Sequence, residues 1–126
     1  MSRRLAPLAA RARRVRALYA TLETQRAGRP WTRAELAQGF VGDVGDLMKL
    51  AMAKEGIRPA AQLDARLRHE FGDCLWCLLV LADAYEVDLE DAFHRTMDYL
   101  EAQLEKRTAK PTRRTKTART SRARRR

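Results

Sequence analysis

The sequence contains no long apolar run, few aromatic residues and only two cysteines, and each of these gaps excludes a class of protein. Charged residues interrupt every apolar segment before it reaches the roughly 18 residues of a membrane span, so we expect no membrane helix. The alternating apolar pattern of a β-strand is also missing. The Arg-rich start lacks a continuous apolar stretch, which argues against a secretory signal and favours a cytoplasmic location.

The two cysteines, Cys74 and Cys77, lie close together in an apolar segment. A structural zinc site requires a second pair of ligands at comparable spacing, and the two histidines, His69 and His94, are isolated from each other. A redox motif of the thioredoxin type requires a strand before the helix. We therefore expect two reduced thiols that are buried as small apolar side chains.

The net charge of +10 is distributed unevenly along the 126 residues. Residues 1–30 carry a net charge of +7, residues 31–107 carry −6, and residues 108–126 carry +9. Basic ends around an acidic centre indicate contacts with polyanions at the ends. The sequence thus predicts a basic N-terminal segment that packs on a helical core, followed by a tail.

The tail, residues 108–126, has no acid, no aromatic residue and no large aliphatic residue. Such a composition cannot form a core, so we expect the tail to be disordered. It suits non-specific contact with nucleic-acid phosphates, and a solubilising tail without a dedicated partner is the alternative. The cationic side chains expected to make this contact include Arg113, Arg114, Lys116, Arg119 and Arg122.

Apolar residues recur at helical spacing in four segments, which predicts an all-α, four-helix bundle-like domain. The helices are expected at about 5–27, 33–55, 59–85 and 89–107. Thr32 and Glu35 have the spacing of a capping box, and Gly56 fits the end of the second helix. The first helix is expected to pack an apolar stripe inward, the third to be central, and the fourth to bury a stripe of its own.

Two pairs of acids, Asp43 with Asp46 and Glu70 with Asp73, are each spaced three residues apart within predicted helices. Side chains at this spacing lie roughly 60° apart on one face, separated by about 4.5 Å of rise. Their like charges destabilise a helix unless a cation lies between them. Two facing helices with such pairs form an oxygen-rich pocket that suits Mg²⁺, and surface acids beside a core are the alternative.

Residues 42–46, Gly-Asp-Val-Gly-Asp, and residues 70–73, Glu-Phe-Gly-Asp, resemble the two acidic motifs of the MazG-like family of all-α nucleotide pyrophosphohydrolases. That family has Glu-Glu-x-x-Glu on one helix and Glu-x-x-Asp on the next, in the same order and at a similar separation. Residues 72–79 and 87–97 are similar to later helices of the family. The resemblance covers about residues 31–105.

The resemblance implies a Mg²⁺-dependent enzyme, with Mn²⁺ as an alternative metal, that hydrolyses (deoxy)nucleoside triphosphates to monophosphate and pyrophosphate. It also implies a homodimer or tetramer and a house-cleaning role in the nucleotide pool. The catalytic and metal-binding residues carried over from the family are Asp43, Asp46, Glu70 and Asp73. Bound cations orient the triphosphate and activate water, so a Ser or Cys nucleophile is not required.

The chain departs from the family pattern at both ends of this region. Gly42 replaces the leading acid of the first motif, and Asp43 and Asp46 are each one methylene shorter than the usual Glu. Thr96 and Leu100 stand where the family often has Lys and Asn. These departures motivate an alternative function, a catalytically weak MazG-like scaffold that acts as a nucleotide-sensing or nucleic-acid-associated protein.

Three further residues are candidates for substrate binding. Lys49 is expected to contact a phosphate, Trp31 to stack on a base, and Asp98 to join the acids. Each has a plainer alternative as well. These are a surface lysine, an apolar staple at the helix entrance, and an exposed helix acid, respectively.

Overall fold

The computed structural model describes residues 4–109, and these residues form four helices and no strand. The helices are α1 (Ala6–Ala27), α2 (Arg33–Lys54), α3 (Leu63–Ala84) and α4 (Leu89–Ala109). The prediction of an all-α chain with four helices is therefore confirmed. Residues 110–126, with all five cations singled out for nucleic-acid contact, lie outside the described part of the chain.

The start of α2 follows the sequence signal, whereas the start of α3 does not. The Thr32 hydroxyl accepts from the Glu35 amide at 3.2 Å, and the Glu35 carboxylate accepts from the Thr32 amide at 3.2 Å, which confirms the capping box. The opening of α3 was expected near Pro59 but lies at Leu63. Gln62 has φ +50°, in the left-handed region, so the right-handed helix begins only after it.

The ends of α2 and α3 use the same turn with different residues. Gly56 follows α2 with φ +75°, and Glu86 follows α3 with φ +56°. In both turns the following amide donates to a carbonyl of the last helical turn. The Ile57 amide donates to the Met52 carbonyl at 2.9 Å, and the Val87 amide donates to the Ala82 carbonyl at 2.8 Å. This left-handed position favours glycine, so Glu86 carries backbone strain that Gly56 avoids.

The core forms where α3 packs against both α1 and α2. Its buried cluster consists of Ala12, Leu79 and Val80, with Leu36 and Trp76 packed against it. The chain divides after Ala92 into two compact units, of which the first contains α1, α2, α3 and the first residues of α4. None of the helices in residues 4–109 has an apolar stretch long enough to cross a membrane.

Most large side chains of the apolar stripes predicted for the first and fourth helices are exposed, although Leu89, at the start of α4, packs against the core cluster. Ala12 is the buried residue of α1, because its small side chain lets α1 approach α3, whereas Leu18 is 71% exposed. Other apolar residues of α1 line a cavity, described below, instead of a packed interface. No residue of α4 is buried, and Phe93 and Leu104 are both 56% exposed. The central position expected for α3 is confirmed.

The two left-handed turns predict opposite responses to substitution. Glu86→Gly should raise the free energy of unfolding by about 0.5–1 kcal/mol because it relieves the strained φ, and Gly56→Ala should lower it by about 1 kcal/mol. Urea titration followed by circular dichroism measures both. Equal changes of the same sign in the two variants would contradict this account of the turns.

Candidate functional site

Four carboxylates from α2 and α3 form what we call the acidic cluster: Asp43, Asp46, Glu70 and Asp73. Single oxygen atoms of Asp43, Asp46 and Glu70 lie within 4.8 Å of one another. Ligand atoms of His69, Glu70 and Asp73 also lie within 4.8 Å of one another. Glu70 belongs to both groups, so the structure brings the four predicted acids together around it and adds His69, which the sequence did not suggest.

Glu70 is the electrostatically least favourable member of the cluster. Its Oε2 atom is shielded from solvent and has no hydrogen-bond partner among the described residues. Burial raises the pKa of the Glu70 carboxyl above its usual value, and the negative charges of Asp73, Asp46 and Asp43 raise that pKa further. Buried carboxylate oxygens without a partner are rare in folded proteins, so this atom marks a place where a cation would stabilise the fold.

The donor set fits a hard divalent cation. Mg²⁺ binds carboxylate oxygens at about 2.0–2.1 Å, so the donor atoms around one ion lie within about 4.2 Å of one another. The ligand atoms of Asp43, Asp46 and Glu70 lie within 4.8 Å of one another, so side-chain rotations would bring them to the spacing of ligands around one ion. Asp43 and Asp46 therefore reach the cluster although each is shorter than the Glu of the family pattern.

Asp43 is oriented by a buried thiol of α3. The Cys77 Sγ–H donates to Asp43 Oδ2 at 3.0 Å, and Cys77 is 6% exposed. Burial, followed by this hydrogen bond and the charge of Asp43, raises the pKa of the Cys77 thiol to about 12, so the thiol stays protonated at neutral pH. Cys77 is buried as predicted, Cys74 is half-buried, and both thiols are free.

Two basic side chains, His69 and Lys49, border the acidic cluster at the surface. The Nε2 atom of His69 lies 3.0 Å from Asp73 Oδ2, one helical turn along α3. The Nζ atom of Lys49 lies 3.9 Å from Asp46 Oδ1 on α2, and both of these side chains are exposed. The candidate phosphate ligand Lys49 thus stands at the solvent edge of the cluster, where it partly balances Asp46.

A cavity of about 610 Å³, which we call the aromatic cavity, lies between α1, α2 and α3. Asp43 and Asp73 form part of its wall, so it opens onto the acidic cluster. Its other lining residues are mainly aromatic and apolar, with two charged residues from α1. The complete set of lining residues besides Asp43 and Asp73 is Val15, Tyr19, Leu22, Glu23, Arg26, Ala27, Trp31, Leu36, Gly39, Trp76 and Cys77.

The three aromatic rings of the cavity are held in different ways. The Trp76 Nε1–H donates to the Ala12 carbonyl at 3.2 Å, and the Tyr19 and Trp76 rings lie 5.4 Å apart at an angle of 54°. Trp31 precedes α2 and is 46% exposed, so much of its ring remains accessible. A planar, apolar ligand group in the cavity would therefore meet two half-exposed rings, Trp31 and Tyr19, and the ring of Trp76 that contacts Tyr19.

The wall supplied by α1 is the part of the site that the sequence did not predict. Residues 1–30 were expected to pack on the core and to contact polyanions through a basic outer face, yet Tyr19 and Glu23 line the cavity. One signal was present: Glu23 is the single acid in a segment with eight basic residues. Asp98 lies in the unit that begins at Phe93, and its role stays a prediction.

No family model matches the chain, and no curated protein or solved structure shows significant similarity to it. The resemblance to the MazG-like family therefore rests on the acidic motifs and the helical pattern around them.

Removal of the Glu70 charge should stabilise the protein when no divalent cation is present. Because the pKa of Glu70 is raised on folding, its contribution to stability is full at low pH and is lost as the pH rises through the folded-state pKa. Glu70→Gln should therefore raise the melting temperature at pH 7 by about 2–6 °C. Differential scanning calorimetry in chelator measures this change.

The same experiment with millimolar Mg²⁺ should raise the melting temperature of the wild type and have little effect on Glu70→Gln, because a ligand stabilises only the state that binds it. Glu101→Gln removes an exposed carboxylate of α4 and serves as the control. An equal Mg²⁺ response in all three proteins would contradict a cation site at Glu70.

Proposed function

We propose that the protein is a divalent-cation-dependent hydrolase that cleaves (deoxy)nucleoside triphosphates to the monophosphate and pyrophosphate. The observation that carries this proposal is the convergence of carboxylates from α2 and α3 at the wall of an aromatic cavity. The cluster could hold a hard cation that would neutralise phosphate charge, and the cavity suits a base and sugar. The acidic motifs and their likeness to the MazG-like family support the same activity.

Asp43, Asp46, Glu70 and Asp73 would hold Mg²⁺, or Mn²⁺ in its place, at the cluster. When bound, the cation neutralises the triphosphate and lowers the pKa of a water molecule. The buried thiol of Cys77 keeps Oδ2 of Asp43 occupied and so fixes the direction in which its other oxygen faces. Water would attack the α-phosphorus and form a new P–O bond, the bond from that phosphorus to the oxygen bridging to the β-phosphate would break, pyrophosphate would leave with the bridging oxygen, and the proton of the water would pass to solvent.

The remaining candidate residues take roles that follow from their places. Trp31 offers a half-exposed ring to the base, and it lines the same cavity as Asp43, which supports this contact. Lys49 stands at the solvent edge of the cluster, where it would contact a terminal phosphate. Asp98 remains part of the proposal from the sequence alone.

We also propose that the active form is a homodimer or tetramer. Phe71 is 59% exposed on the central helix α3, and Leu75 and Leu78 share its face and are exposed as well. No residue of α4 is buried within one chain. Contiguous apolar surface of this kind is typical of interfaces between subunits. Light scattering after size exclusion at micromolar concentration should give at least twice the mass of one chain, and a monomer would contradict this.

Pyrophosphate release from a panel of canonical and modified nucleoside triphosphates tests the activity. We expect release that requires Mg²⁺ or Mn²⁺ and falls by at least about 100-fold in Glu70→Gln and Asp46→Asn, because each variant removes a charged ligand of the cation. Glu101→Gln should retain full activity. The assay resolves monophosphate and pyrophosphate from diphosphate and orthophosphate by chromatography.

The second candidate function is that of a catalytically weak scaffold that senses nucleotides or associates with nucleic acid. The nine cations of residues 108–126 favour it. Deletion of residues 108–126 should weaken salt-sensitive binding to single-stranded nucleic acid under this candidate and leave hydrolysis unchanged under the first. A folded protein that binds Mg²⁺ but hydrolyses no nucleotide of the panel would overturn the enzyme proposal and leave the scaffold.

A further inference from the structure

A set of hydrogen bonds separate from the acidic cluster joins α1 to the connection between α1 and α2. Arg16 Nη1 lies 3.0 Å from Glu23 Oε1, and the two side chains are only 18% and 15% exposed. The Trp31 amide donates to Glu23 Oε1 at 2.7 Å, and Arg16 Nη2 donates to the Trp31 carbonyl at 3.0 Å. We call these contacts the Trp31 clamp.

Among the described residues, the backbone of Trp31 forms no hydrogen bond besides those of the clamp. Trp31 precedes Thr32, the N-cap of α2, so its amide and carbonyl fall outside the hydrogen-bond ladder of the helix. Both groups bond instead to charged side chains of α1, and such bonds are shorter and stronger than those between neutral groups. The backbone of Trp31 is thus fixed to α1, although its ring is 46% exposed.

The ring of Trp31 is confined from its other side by α2. A Cβ placed on Gly39 would lie 3.2 Å from Cζ3 of the Trp31 ring, so the ring rests against the bare backbone of Gly39. The clamp and this contact together leave the accessible part of the ring in the wall of the aromatic cavity that also contains Asp43 and Asp73. A ring held in this way loses little freedom when a ligand stacks on it.

We infer that the Arg16–Glu23 pair is a positioning device that presents Trp31 to the base of the nucleotide and thereby sets affinity for substrate. This inference rests on the proposed function, and it gives α1 a role in substrate binding that its composition alone did not suggest. Arg16 and Glu23 act through Trp31 and are not catalytic residues. They should therefore affect KM and leave kcat nearly unchanged, because the acidic cluster is untouched.

The test compares Glu23→Gln and Arg16→Lys with the wild type for hydrolysis of the best nucleotide of the panel. Gln keeps an acceptor for the Trp31 amide but loses the ion pair, and Lys keeps the charge but loses the forked donor geometry of Arg. We expect KM to rise about tenfold in each variant and kcat to change less than about twofold. Gly39→Ala, which displaces the ring from the α2 side, should raise KM in the same way.

Asp83→Asn is the matched control. It breaks an ion pair between α1 and α3, Arg13–Asp83 at 3.2 Å, whose two side chains are about half exposed and do not line the cavity. Its KM and kcat should equal those of the wild type. Circular dichroism and thermal melting of every variant separate loss of the fold from loss of the Trp31 position.

A second measurement reports on Trp31 without turnover. The chain has two tryptophans, so 5-fluorotryptophan gives two fluorine NMR signals, which Trp31→Phe assigns. We expect Glu23→Gln to shift or broaden the Trp31 signal and leave that of Trp76 unchanged. Titration with the α,β-imido analogue of the same nucleotide should move the Trp31 signal, at about tenfold lower concentration in the wild type than in the variant.

Two negative results have different meanings. If the wild type hydrolyses nucleotides but Glu23→Gln and Arg16→Lys match Asp83→Asn in KM and in the Trp31 signal, the inference is overturned and the proposed function stands. If the wild type neither hydrolyses any nucleotide nor responds to an imido analogue, the proposed function fails and the inference fails with it.

Discussion

The packing of α2 along α3 imposes the constraint on which the rest of the site depends. It brings carboxylates from both helices within a few ångströms of one another and buries one oxygen of Glu70 among them. Like charges at such distances oppose folding, and burial strengthens the repulsion because solvent screens it less. A divalent cation bound among these carboxylates, as the proposed function requires, would reduce this repulsion.

The cavity beside the cluster complements this charge arrangement. Its walls are largely aromatic and apolar, while its edge at Asp43 and Asp73 is acidic. Under the proposed function, the cavity would take the planar, apolar part of a nucleoside triphosphate and the acidic cluster would take its phosphates through a cation.

The structure gives the charged residues of α1 a different role from the one that the sequence indicated. Its arginines indicated a basic outer face, and Arg16 looked like one more member of that face. In the fold, Arg16 pairs with Glu23 and both bond the backbone of Trp31. Charge counted along the sequence gives the net potential of a segment, but it does not reveal which cations are neutralised by a neighbour on the same helix.

The sequence by itself determined the helical class, the capping box at Thr32 and the positions of the four acids, because helical period and local side-chain chemistry act over a few residues. Three features came from the packing of the helices: Cys77 orients Asp43, α1 lines a cavity, and most large apolar residues of α4 after Leu89 are exposed. These features depend on which surfaces meet across many residues of chain. The spacing of side chains along one helix does not specify which helix packs against each of its faces. In this protein that depends on how α1 and α2 pack on α3.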